Sequence, residues 1–156
     1  MIVKWVHVLS SAVLFGTGIG SAWYLLLASL SARRRAGDAR ALAEVAHHVV
    51  LADLWFTATT VIVQPASGLV LVQLAGLPLS ARWLAQSLAL FALAVACWLP
   101  VVWLQIRLRA LARQAVAAGV PLPAAYWRHF AAWVVLGFPA FFAFLGVFWL
   151  MVAKPP

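Results

Sequence analysis

Four apolar stretches, at about 2–30, 46–75, 83–108 and 127–153, take up most of this chain. A helix of about 20 residues crosses the ~30 Å of hydrocarbon in a bilayer, and each stretch is at least that long. In hydrocarbon every backbone N–H and C=O must find its partner within the protein, and a helix supplies those partners itself. The connections are short, so successive helices should run antiparallel. The expectation is all-α: one transmembrane domain built as an antiparallel up-down four-helix transmembrane bundle. Composition supports it. The chain is 67% hydrophobic and 9% charged, where a soluble domain is about half apolar and about a quarter charged.

The net charge of +8 reads as topology. Arg33, Arg34, Arg35 and Arg40 form one cluster, and Arg107, Arg109, Arg113 and Arg128 another; only Lys4, Arg82 and Lys154 lie elsewhere. Both clusters flank apolar stretches, so those ends should be cytoplasmic and both termini should lie outside. The first stretch is too long for a signal-peptide core and its charges follow it, so it should be retained. No basic stretch is interleaved with exposed aromatics, which excludes nucleic acid as a partner; the partner is the lipid bilayer. Cys97 is the only cysteine and belongs to no CxxC or CxxCH. With no nucleophile–base–carboxylate set, phosphate loop or zinc signature either, hydrolases, kinases and zinc peptidases are excluded.

Polar residues inside the apolar stretches are then the candidates for function. Asp53, Thr57, Thr60 and Gln64 step by four, three and four, which places them on one face of the second helix. Asp53 is the only acidic residue within an apolar stretch. Thr17, Ser21, Gln105, Arg107 and Arg128 are its partners by depth. It is read either as a hydrogen-bonded or ion-paired carboxylate that fixes helix register, or as a proton-handling group.

Four histidines raise the question of haem, for which imidazole is a common axial ligand. His7 lies near the outer boundary and His47, His48 and His129 near the inner one, with roughly 30 Å of hydrocarbon between. His7 therefore shares no iron with the others. His47 or His48 with His129 is one possible pair. His7 lies deeper, and antiparallel pairing brings it to Thr60 and Gln64. There it could ligate a haem iron, bond a quinone carbonyl, or bond Gln64. The expected cofactor-binding set is His7, Gln64 and Thr60.

Several local signals complete the reading. Pro65, Pro100 and Pro139 should kink their helices, with Thr60 and Gln64 placed to satisfy backbone groups freed at Pro65. Gly16-x-x-x-Gly20 could pack inside the bundle or against another copy. Asp38 is the expected cap of the second helix. The turn at 76–82 and the loop at 117–125 separate the remaining spans.

The run Lys4-x-x-His7-Val8-Leu9 followed by Phe15-Gly16-Thr17-Gly18 resembles the start of the bacterial membrane-protein family called domain of unknown function 2269. The resemblance continues through Ala52-Asp53, Phe56-Thr57, Gln64-Pro65, Gly68, Cys97-Trp98-Leu99-Pro100, Gln105, Tyr126-Trp127 and Phe148-Trp149-Leu150-Met151 with Lys154-Pro155. It implies a multi-pass protein of the bacterial inner membrane and no particular activity. Lys4-x-x-His7 is also similar to the first helix of small haem-binding protoporphyrinogen oxidases and of copper resistance protein D-like domains. That similarity implies haem b on His7, with Met151 at a comparable depth. Three functions stay open: a b-type haem redox protein, a non-catalytic accessory or scaffold subunit with a membrane-protein partner, and a small proton-coupled transporter.

Overall fold

A computed structural model describes residues 1–34 and 39–155. It contains α1 (Ile2–Arg34), α2 (Ala39–Leu74), α3 (Arg82–Ala118) and α4 (Ala124–Ala153), each long and apolar enough to cross a membrane. There is no strand among the described residues. The bundle is therefore all-α, as the apolar stretches require. Asp38, the expected cap of α2, lies outside the described residues.

The helices outrun the apolar stretches. α1 continues to Arg34, and α3 runs well beyond 108 to Ala118. Arg107, Arg109 and Arg113 thus sit on helix rather than beside it. α4 begins at Ala124 instead of Trp127, immediately after Pro123, whose fixed φ suits a helix start. Two glycines end helices with φ of +63°: Gly76 after α2 and Gly119 after α3. At each, the next N–H reaches back five residues, Leu77 to Val72 O and Val120 to Ala115 O, both at 3.1 Å. This left-handed cap strains any residue with a Cβ.

α2, α3 and α4 each carry on through their proline. The side chains expected to relieve Pro65 go elsewhere. The Thr60 hydroxyl donates backwards to Phe56 O at 2.6 Å, because a helical threonine reaches the preceding turn. Gln64 crosses to α1.

The packed core lies in the half of the bundle that carries the arginines. Leu42, Ala43, Ala46 and Val49 of α2 meet Leu104, Leu108 and Ala112 of α3, Tyr126, Phe130 and Trp133 of α4, and Leu25 of α1. Their steps of mostly three and four make one buried stripe per helix, and the alanines let backbones approach. Within this core Ser29 donates to Leu25 O at 2.7 Å, and its oxygen lies 2.7 Å from the Tyr126 hydroxyl. At the same end Arg33 lies 5.5 Å from the Trp127 ring and Arg107 5.5 Å from that of Trp103, favourable cation–π placements.

Elsewhere the bundle parts into two pairs, α1 with the second half of α2 and α3 with α4. α1 meets α4 through Phe15, whose ring lies 6.0, 6.4 and 5.0 Å from those of Phe141, Phe144 and Phe148. Gly16, Gly18 and Gly20 have open space where a Cβ would stand: Gly16 is exposed, Gly18 lines the space between the helices and Gly20 a groove between α1 and α2, so no helix packs closely on the GxxxG. Trp23, Trp55, Phe142 and Trp149 are exposed on the outer surface, the side that hydrocarbon would cover.

Candidate functional site

The polar stripe of α2 coincides with a break in its regularity. From Asp53 to Thr57 the helix widens to a π-turn, and the Ala58 N–H bonds to Asp53 O, five residues back. Such turns leave backbone carbonyls short of donors and occur often at functional sites. Here threonines supply the donors: Thr59 to Trp55 O at 2.7 Å and Thr60 to Phe56 O at 2.6 Å. Thr57 instead donates its hydroxyl to the Asp53 carboxylate at 2.9 Å.

Asp53 is 3% exposed and lies about 21 Å along α2 from Ala39, at ~1.5 Å per residue. Its polar neighbours are uncharged: the Thr57 hydroxyl and the Gln105 amide of α3. Of the expected partners, Gln105 meets it, while Arg107 turns to Trp103. Asp53, Thr57, Gln105 and Ser21 all line a cavity of about 490 Å³ to which every helix contributes. Its walls are otherwise apolar and aromatic, among them Phe15, Trp98, Trp133 and Phe144. Gln105 Oε1, Trp98 Nε1 and Trp133 Nε1 have no hydrogen-bond partner and are themselves buried in the packing behind the cavity surface. Exposed Ile19 and Trp23 of α1 and Phe138 of α4 also line it, so it opens sideways between those helices.

A second polar cluster lies towards the chain termini. Ser10 donates to Gln64 Oε1. That contact orients the Gln64 amide so that its Nε2 donates to His7 Nε2 at 3.2 Å. His7 Nδ1–H then donates to Ser67 Oγ at 2.9 Å, and Ser67 donates to Val63 O at 2.7 Å. Gly68 makes room for the ring, since a Cβ there would stand 3.2 Å from His7 Cε1. The geometry brings His7 to Gln64 as antiparallel pairing requires. It does not bring Thr60, which bonds only within α2.

The family model described as "Predicted integral membrane protein (DUF2269)" matches residues 1–155. The chain belongs to this family. No curated protein and no solved structure matches it. The family description gives membrane residence and no activity, so chemistry must come from the two clusters themselves.

A haem iron on His7 would need a free nitrogen lone pair. A neutral imidazole has one such nitrogen, and here it accepts from Gln64. A quinone carbonyl would need the ring N–H, which Ser67 takes. As arranged, the residues around His7 fit neither group. At the arginine-rich end, His48 Nδ1 lies 2.8 Å from Glu44 O and His129 Nδ1 2.6 Å from Ala125 O, each bond within its own helix. No group of three or more His, Cys, Asp or Glu side chains clusters among the described residues.

Sequence reasoning missed Ser67 and Trp133, and it met Trp98 only within the family resemblance, with no role attached. Ser67 extends the α2 stripe by three residues beyond Gln64, and that spacing was the available signal. Nothing in the spacing of the nine tryptophans marks Trp98 and Trp133 as cavity residues.

Proposed function

We propose that this protein is a small carrier of the bacterial inner membrane that binds a lipid-soluble molecule and a proton in turn at Asp53. One observation carries the reading: a buried carboxylate with uncharged neighbours lines a cavity shared by all four helices and open towards lipid. A carboxyl group in hydrocarbon is tolerable as the neutral acid or beside a compensating partner. Alternation between those two forms links ligand binding to proton release. The π-turn places the carboxylate, and the threonines around it keep the irregular backbone bonded. The arginine clusters favour a cytoplasmic placement for the packed end, with both termini outside.

Proteoliposomes that trap a pH-sensitive dye test this. Neutral, anionic and cationic amphiphiles are added in turn. At least one class should move protons in the wild type, fail to do so in Asp53→Asn, and recover in Asp53→Glu. Identical traces for wild type and Asp53→Asn across all three classes overturn the proposal.

A second reading, an accessory subunit, draws on the exposed Gly16, whose open surroundings would admit another helix. It expects a membrane-protein partner to co-purify and to be lost in Gly16→Leu. The haem reading requires Gln64 to release His7. It expects a Soret band in protein from haem-replete cells that disappears in His7→Ala.

A further inference from the structure

We propose that the Asp53 cavity takes a lipophilic organic cation, a single positive charge on a hydrophobic body. This rests on the carrier reading above and deepens it by naming the ligand's chemistry.

Charge is the first argument. The chain carries a net +8, yet the polar groups beside Asp53 are a hydroxyl and an amide. Arg33 and Arg107, the arginines of α1 and α3 nearest in sequence to the cavity lining, rest on Trp127 and Trp103 at the packed end. The counter-charge at Asp53 is thus left for something from outside, and in a low-dielectric site that attraction is strong.

The second argument is the state of the carboxyl group. An anion would be repelled by the carboxylate. A neutral molecule would leave Asp53 as the neutral acid and displace no proton. A cation compensates the carboxylate, so it alone couples its own binding to the proton exchange of the carrier reading.

The walls give the third argument. Phe15, Trp98, Trp133 and Phe144 line the cavity, and aromatic rings attract cations as well as apolar bodies. The mouth at Ile19, Trp23 and Phe138 is apolar and exposed, so the ligand arrives through the lipid. As the cation binds, the Asp53 proton leaves to water; one positive charge enters and one departs.

The test uses the full chain in phosphatidylcholine nanodiscs, whose zwitterionic surface does not concentrate cations. Equilibrium dialysis compares tetraphenylphosphonium with neutral triphenylphosphine oxide. Saturable binding of about one phosphonium per chain is expected, at least tenfold tighter than the oxide. Asp53→Asn should weaken it at least tenfold, Asp53→Glu should largely keep it, and Gly137→Phe, which fills the cavity, should abolish it. If Asp53→Asn does not assemble, the wild-type preference for cation over oxide decides alone. Equal binding of both probes, blocked by Gly137→Phe, overturns the cation and leaves the cavity as a neutral ligand site. Saturable binding of neither probe overturns the cation, and if no amphiphile moves protons in the liposome assay the carrier reading falls with it.

Discussion

The two halves of this bundle solve the same problem in opposite ways. In the arginine-bearing half, alanines and leucines at steps of three and four close the helices onto each other, and the polar pair Ser29–Tyr126 satisfies itself. Beyond it the pairs α1–α2 and α3–α4 part around a cavity lined by a carboxylate and an amide. Lipid is as apolar as a leucine core, so a membrane bundle gains little from burying apolar surface alone. It holds together where close contact is dense, and it can open where contact is sparse. The packed half is thus the anchor, and the open half is free to carry chemistry.

Removing apolar volume from each half, three carbons from the core and two from the cavity wall, tests the contrast most strongly. Leu108 is fully buried in the packed half, and Leu108→Ala should cost about 2–4 kcal/mol. Val95 lines the cavity, and Val95→Ala should cost less than about 1 kcal/mol because its neighbours already leave space. Unfolding by denaturing detergent, followed by circular dichroism, measures both. Equal losses would mean that the cavity wall bears load like the core.

Asp53 gives the next largest test. If it serves a ligand, Asp53→Asn keeps a partner for the Thr57 hydroxyl and should change stability by no more than about 1 kcal/mol. A loss above about 2 kcal/mol in the same assay would make the carboxylate a register-fixing group, and the two halves would then differ less than their shapes suggest.

Ser29→Ala and Tyr126→Phe should each cost about 0.6–1 kcal/mol, the scale of an interhelical hydrogen bond in a membrane protein. The double variant should cost scarcely more than either single one, because both remove the same bond. Additive losses would show that the two hydroxyls act through different partners.

How much of this the sequence disclosed depends on the kind of signal. The four helices follow from apolar length, which a bilayer enforces. The Asp53–Gln105 and His7–Gln64 encounters follow from depth, because antiparallel helices of known ends align their residues. The π-turn at Asp53 was hidden, since steps of four, three and four fit an ordinary helix equally well. Trp98 and Trp133 were hidden for another reason: exposed tryptophans serve as interfacial anchors in the same chain, and only the fold separates those lining a cavity. The exposure of Gly16 was likewise undetermined, because small residues suit a contact inside or outside the bundle equally.

The smallest effect separates the two kinds of glycine in the open half. Gly18 has open space where a Cβ would stand, and alanine is a better helix former than glycine by up to about 1 kcal/mol. Gly18→Ala should therefore stabilise the protein slightly. Gly68 has the same intrinsic preference, but its added Cβ would stand 3.2 Å from His7 Cε1 and 3.7 Å from Nδ1. The ring must retreat by a few tenths of an ångström and stretch its bonds to Ser67 and Gln64, so the gain should be cancelled and the net change should lie near zero. Nitrogen NMR of the His7 ring distinguishes this from simple tolerance: Gly68→Ala should shift both ring nitrogens while Gly18→Ala shifts neither. An unshifted His7 in Gly68→Ala would show that the ring is held loosely, and that the polar cluster near the termini is not the fixed network its distances describe.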